Sequence, residues 1–253
     1  MLASQNMNRN GRSVPIKNSI PSTLTFMSDP TAPVRRLPGR QQEARSNDSA
    51  VLAAARAVFS ARGHDASMAE IARHAGVGVG SVYRRYPTKE ALVEALRVNA
   101  VNDAAGLARE VAADRDSRDA LLEDRTTASP GSVATFLARQ IITATGPILQ
   151  PPGAGAPISE ELAAASEELR ASLDRLIALD RAEGLVPVGF TPADVMQLLL
   201  HLRPPLPFVR ARADALHLRY LEFAMRGLRE QARAGIALDE GPGWDEWMGS
   251  WHD

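Results

Sequence analysis

SMAEIARHAGVGVGSVYRRYPTKEAL, Ser67–Leu92, is the stretch that decides the fold. Ser67 and Glu70 stand in the S-x-x-E spacing of a capping box, which satisfies free N–H groups at the start of a helix. Ile71, Ala72 and Ala75 then form a small apolar stripe. Gly76 tolerates the left-handed conformation that stops a helix. Val77 sits in the turn, where a small apolar side chain plugs the angle between two helices. A second short helix is predicted over Val79–Tyr86 and ends before Pro87, because the residue preceding proline avoids the helical region. Thr88 caps a further helix that begins at Lys89 and turns Leu92, Val93 and Leu96 inward. Two short helices joined by a tight glycine-containing turn make a helix-turn-helix, whose second helix enters the major groove of DNA.

The polar side chains of this segment suit that use. Ser81, Tyr83, Arg84, Arg85 and Lys89 lie on or just after the second helix. Hydroxyl, guanidinium and ammonium groups donate to phosphate, and arginine reads guanine. A small helical hairpin with a solvated basic face fits the same residues.

From Val51 to Leu96 the chain resembles the N-terminal domain of the TetR family of bacterial transcriptional regulators. The resemblance rests on F-x-x-x-G at Phe59–Gly63, on S-M-A-E-I-A-x-x-A-G-V, and on G-S-V-Y-x-x-Y-P-T-K-E-A-L. It implies that the Tyr83 hydroxyl and Lys89 hold phosphate and that Ser67 touches the DNA backbone. It also implies that Val79, Gly80 and Ser81 fall where the family presents base-reading groups. Arg85 departs from the pattern, which often has histidine there. Val79 and Gly80 bear no hydrogen-bonding side chain, so base readout shifts to Ser81, Arg84 and apolar contact with thymine methyls.

Charge is unevenly spread. The 253 residues carry a net charge of −1, but residues 35–99 hold eleven basic and six acidic side chains. The part beyond residue 99 is correspondingly acidic. A basic module joined to an acidic body is the layout of a DNA reader with a separate regulatory part. Lys17 and Lys89 are the only lysines. A lysine kept at position 89 suits a point charge that meets phosphate from several angles; chance fits equally.

Composition favours an all-α fold. Alanine and leucine abound, aromatics are 5%, and no alternating β-branched run stands out. With no cysteine there is no disulfide and no thiolate metal site. No apolar run approaches the roughly 18 residues of a membrane span. The first twenty residues lack the apolar core of a signal peptide, so a cytoplasmic protein is expected.

Four regions are predicted. Residues 1–46 read as a disordered basic tail, within which Met27 is an alternative start. Its end, Val34–Arg45, fits either an arm along DNA or a solubilising segment. Residues 47–95 form the three-helix DNA-binding domain, with helix one over Asp48–Arg62 and Phe59 as a core plug. Residues 96–236 form a larger helical domain for ligand binding and dimerisation. In it helices are expected to about Ala113, over Val133–Leu149, Ser159–Glu183, Pro192–Leu202 and Arg212–Ala234. Thr191 and Asp194 offer a second capping box. Residues 237–253 form a tail whose Trp244, Trp247 and Trp251 suit a short packed helix.

The last two helices of the larger domain are apolar over wide faces. The resemblance implies that they pair with their mates in a homodimer, with Leu199, Leu216, Tyr220 and Phe223 at the interface; plain core fits the same residues. Phe136, Ile141, Met196, Leu200 and His201 are candidates for a pocket that holds a small apolar effector, and each also fits plain core. The five histidines show no metal-binding pair, and no nucleophile elbow, phosphate loop or dinucleotide fingerprint occurs. No metal or cofactor is expected. The leading reading is a dimeric repressor that leaves double-stranded operator DNA when an effector binds. A DNA-binding regulator without a ligand and a helical enzyme are the alternatives.

Overall fold

The computed structural model describes residues 38–121, 130–143 and 158–249, and every regular element among them is helical. Helix α1 covers Pro38–Arg62 and passes through a 3₁₀ turn, Gly63–Asp65, to α2 at Met68–Ala75. Helix α3 is Val79–Arg85, and α4 runs from Lys89 to Leu121. Helix α5 is Ser132–Thr143, α6 Glu160–Ala182, α7 Pro192–Leu202, α8 Arg210–Arg233 and α9 Trp244–Gly249.

Helix α1 starts ten residues earlier than the expected Asp48. Pro38 supplies a pre-set φ at the first helical position, and the Gln, Glu, Ala and Arg that follow are good helix formers. The apolar period that marks the buried part begins only at Val51, so the sequence pattern does not mark the polar first turns as helix. Residues 1–37, and the side chains of residues 38–46, lie outside the described residues. Met27 and positions 34–37 of the basic arm fall outside them, whereas 38–45 of the arm form the start of α1 instead of a tail.

Two apolar cores are stacked along α4. The first joins α1, α2, α3 and the start of α4 through Val51, Ala55, Val58, Ile71, Val82, Tyr86, Leu92 and Leu96. Ile71, Leu92 and Leu96 are completely buried, and each such side chain contributes roughly 1.5–3 kcal/mol by leaving water. Phe59 is half-buried and packs against this core. The second core gathers Ala105, Ala108 and Val111 of α4 with Phe136, Leu137 and Ile141 of α5, and with Leu169, Leu173, Leu176 and Ile177 of α6. Alanines along α4 let α6 approach closely, and these two helices pack extensively against each other.

Helix ends follow the capping chemistry of the sequence. Thr191 accepts from the Asp194 N–H at 3.2 Å, while the Asp194 carboxylate accepts from the Thr191 N–H at 2.9 Å, a reciprocal box. Ser67 accepts from the Glu70 N–H at 3.2 Å. Glu70 does not return the bond; its carboxylate lies 3.3 Å from Arg62 and 3.9 Å from Arg73, so this cap is one-sided. Gly76 takes φ +69° and ends α2 as expected.

The start of α5 is capped from a distance. Asp180, fully buried on α6, accepts from the backbone N–H of Ser132 at 2.6 Å and of Val133 at 2.9 Å. Arg115 of α4, also buried, adds positive charge beside it and pairs with Glu183. Burial pushes the Asp180 carboxyl above its ordinary value, against the backbone hydrogen bonds and Arg115, which pull it down. Beyond α8 the chain doubles back, and the Leu238 N–H donates to Val188 O at 2.9 Å. Helix α9 holds Trp244 and Trp247 of the expected tryptophan helix, Trp251 lying outside the described residues, and Trp244 packs against the second core.

Candidate nucleic-acid interface

Helix α3 leaves one of its sides unburied. Val82 turns into the first core and Tyr86 closes it, both nearly inaccessible. The opposite face of α3 turns outward at helical spacing: Val79 is 44% exposed and Tyr83 49%. Gly80 and Ser81 are exposed beside them. A Cβ added at Gly80 would meet nothing within 4 Å, so this turn of α3 presents bare backbone to whatever lies against it. A large apolar group and a phenol held in water at fixed positions suit a groove floor and a phosphate rail.

The cations divide by their partners. Arg84 donates to Ser81 Oγ at 3.0 Å and to Gly80 O at 3.3 Å, so guanidinium and hydroxyl form one unit on the outer face of α3. Arg85 points elsewhere: its Nε lies 3.2 Å from Asp48 Oδ2 on α1. Lys89 opens α4, with Nζ 5.5 Å from the centre of the Phe59 ring. That cation–π contact fixes the ammonium beside the end of α3. Thr88 accepts from the Ala91 N–H at 3.1 Å and caps α4. Hydrogen bonds from its own backbone and from Thr88 hold the Glu90 carboxyl below its ordinary value, as a helix N-terminus favours.

Of the residues expected to meet DNA, Val79, Gly80, Ser81, Tyr83 and Arg84 therefore share one exposed face. Lys89 stands next to it, Ser67 lies exposed at the start of α2, and Arg85 is drawn toward α1. Sequence reasoning missed Asp48 as a partner of Arg85. It also missed Arg56, which donates to Asn99 at 2.8 Å and Asp103 at 3.1 Å and ties α1 to α4. All three pairs join residues more than thirty positions apart, and no local pattern marks them.

The residues expected to line a pocket divide between the core and the surface, Met196 packing against the same core that holds Phe136 and Ile141. Phe136 and Ile141 are completely buried in the second core. Met196 and Leu200 are half-buried on α7. His201 is exposed, its Nδ1 2.8 Å from Gln197 O. It lines an open groove of about 540 Å³ between α7 and α8 with Gln197, Leu198, Ala224, Gly227 and Leu228. Among the residues expected at a dimer interface, Leu199 is buried within the chain and Leu216 is half-buried. Tyr220 and Phe223 are 57% and 50% exposed and meet edge to face at 6.0 Å. Among the described residues no group of histidine and acidic side chains could hold a metal ion, and no helix is long and apolar enough to cross a membrane.

Residues 51–96 match the family described as bacterial regulatory proteins, tetR family. Among solved structures the chain is similar to a TetR transcription regulatory protein from Mycobacterium vanbaalenii. The two share 25% identity with a TM-score of 0.51, over 75% of this chain and 99% of that one. It is also similar to the TetR transcriptional regulator SCO0520 from Streptomyces coelicolor, at 26% identity and a TM-score of 0.47, over 72% of this chain and 98% of that one. No curated protein matches the chain significantly.

Proposed function

We propose that this chain, a DNA-binding transcriptional regulator of the TetR family, acts as a homodimeric repressor released from its operator by a small apolar effector. The observation that carries the proposal is continuity. Helix α4 begins with Lys89 beside the exposed face of α3 and continues unbroken through the second core to Leu121. Its 33 residues span about 50 Å at 1.5 Å per residue, so a tilt imposed at one end displaces the other.

On DNA, Tyr83, Lys89 and Ser67 contact phosphates and set the register, while Val79, Gly80, Ser81 and Arg84 face base edges. The Arg84–Ser81 unit supplies the donors, and Val79 supplies apolar contact for thymine methyls. The arginines of Val34–Arg45 add electrostatic attraction along the duplex. Such a protein works as a regulator without turnover, in the cytoplasm where its DNA lies.

The dimer forms through α7 and α8. Tyr220 and Phe223 project as a knob, and one turn further along α8 the small residues Ala224 and Gly227 floor the open groove. A knob beside its own complementary groove is the arrangement an isologous two-fold interface requires. Leu216 extends the contact, whereas Leu199 supports it from within its own subunit.

The effector acts on the larger domain and shifts the equilibrium only by its differential affinity for the two states of α4. A regulator without a ligand is the second reading. The complete burial of Phe136 and Ile141 favours it, since an effector there must displace packed core. Thermal-shift screening with small aromatic and aliphatic compounds, followed by operator release in fluorescence anisotropy, tests the pair. A compound that raises Tm and releases DNA supports the first reading; stabilisation without release, or none across the panel, supports the second.

A further inference from the structure

Arg85 ends the recognition helix, and 65% of its side chain is open to solvent, yet its Nε sits 3.2 Å from Asp48 on α1. Asp48 is better enclosed, with 34% of its side chain exposed. The same guanidinium stands 5.9 Å from the ring centre of Tyr86. Burial raises the Tyr86 pKa, the Asp48 charge raises it further, and Arg85 draws it back. One carboxylate, one guanidinium and one buried phenol are therefore coupled at the seam between α1 and the end of α3. Arg84, one residue earlier, is turned the other way, onto Ser81 and Gly80 of its own helix.

We propose that Asp48 limits the affinity of the protein for DNA of any sequence: its carboxylate holds Arg85 against α1 and withholds that charge from DNA phosphates. The proposal rests on the DNA-binding reading above. Phosphate contacts strengthen binding to every sequence alike, whereas base contacts discriminate. A cation at the end of α3 would add affinity without selectivity. Asp48 cancels it twice, by neutralising the guanidinium and by placing a negative charge where a phosphate would approach. Arg85 then serves as a positioning residue that pins the end of α3 to α1.

A double-mutant cycle tests this, with full-length protein and fluorescence anisotropy on an unrelated duplex and on a selected operator. Asp48→Asn is expected to tighten binding to the unrelated duplex by about tenfold at low salt. It is also expected to steepen the log–log salt slope by about one unit. Binding to the operator should tighten by a similar factor, so that the preference between the two duplexes stays unchanged. Arg85→Gln alone should leave the slope unchanged, and the double variant should return to wild-type behaviour. A slope flattened by about one unit in Arg85→Gln alone overturns the proposal, because Arg85 then meets phosphate despite Asp48. Unchanged affinity and slope in Asp48→Asn overturns it equally. Asp48→Ala replaces Asp48→Asn if the latter lowers Tm, since alanine keeps the helix. Lys89→Ala is the separate control: if it too leaves DNA binding untouched, the wider reading fails rather than the role of Asp48.

Discussion

Asp180→Ala should be among the most damaging single changes in the larger domain. The carboxylate accepts two backbone N–H bonds at the start of α5, at 2.6 and 2.9 Å, and it is inaccessible to water. Alanine leaves both donors buried without an acceptor, at about 1–3 kcal/mol each. Part of that loss is returned, because the burial that raises the Asp180 pKa also makes its charge costly to hold. A net loss of about 3 kcal/mol is expected, near the upper part of the range for single substitutions. Urea unfolding followed by circular dichroism should show a lower midpoint at unchanged m-value. Asp180→Asn keeps one acceptor and should cost about half as much.

The pH dependence of the same site has a definite sign. A raised pKa means that the folded chain holds this proton more tightly than the unfolded chain. The window begins at the ordinary aspartate value, 3.8, and extends upward to the raised one. Across it the contribution of Asp180 to stability falls as pH rises, and above it the contribution is constant. Asp180→Asn should remove that slope. A loss below about 1 kcal/mol in Asp180→Ala, or an identical pH profile in Asp180→Asn, would refute the reasoning.

Three further outcomes are expected. Tyr83→Phe and Lys89→Ala should weaken binding to operator and unrelated duplex by similar factors, and Lys89→Ala should flatten the salt slope by about one unit in an anisotropy titration. Tyr220→Glu or Phe223→Glu should convert a dimer to a folded monomer by light scattering, since both side chains are half-exposed within one subunit and neither supports its core. Gly76→Val should lower stability by about 1–2 kcal/mol in urea melts, because φ +69° is strained for a β-branched residue even though the added Cβ meets no neighbour.

The sequence carried the local features well, because their causes are local. Ser67, Gly76, Thr88, Pro87 and the Thr191–Asp194 box each act within four residues, and each marks a helix end where it was expected. The exposed face of α3 followed from the same boundaries. Features made by distant partners were silent. Glu70 abandons its expected cap for Arg62 and Arg73, and Arg85 pairs with Asp48 on α1. Asp180 left a trace: it continues the apolar stripe of Leu173, Leu176 and Ile177 at helical spacing. An acid in that position announces a buried partner without saying that the partner is the start of α5. Phe136 and Ile141 show the limit of apolar patterning, since core filling and pocket lining use the same residues.

The central claim is that the exposed faces of two α3 helices read one site on DNA. Footprinting the wild-type protein on duplexes enriched by repeated selection tests it most directly. The account predicts a protected site of two-fold symmetric sequence, with half-sites one helical turn, about 34–36 Å, or a multiple apart. Selection that enriches no sequence over bulk DNA, or protection of a lone asymmetric half-site, would contradict it.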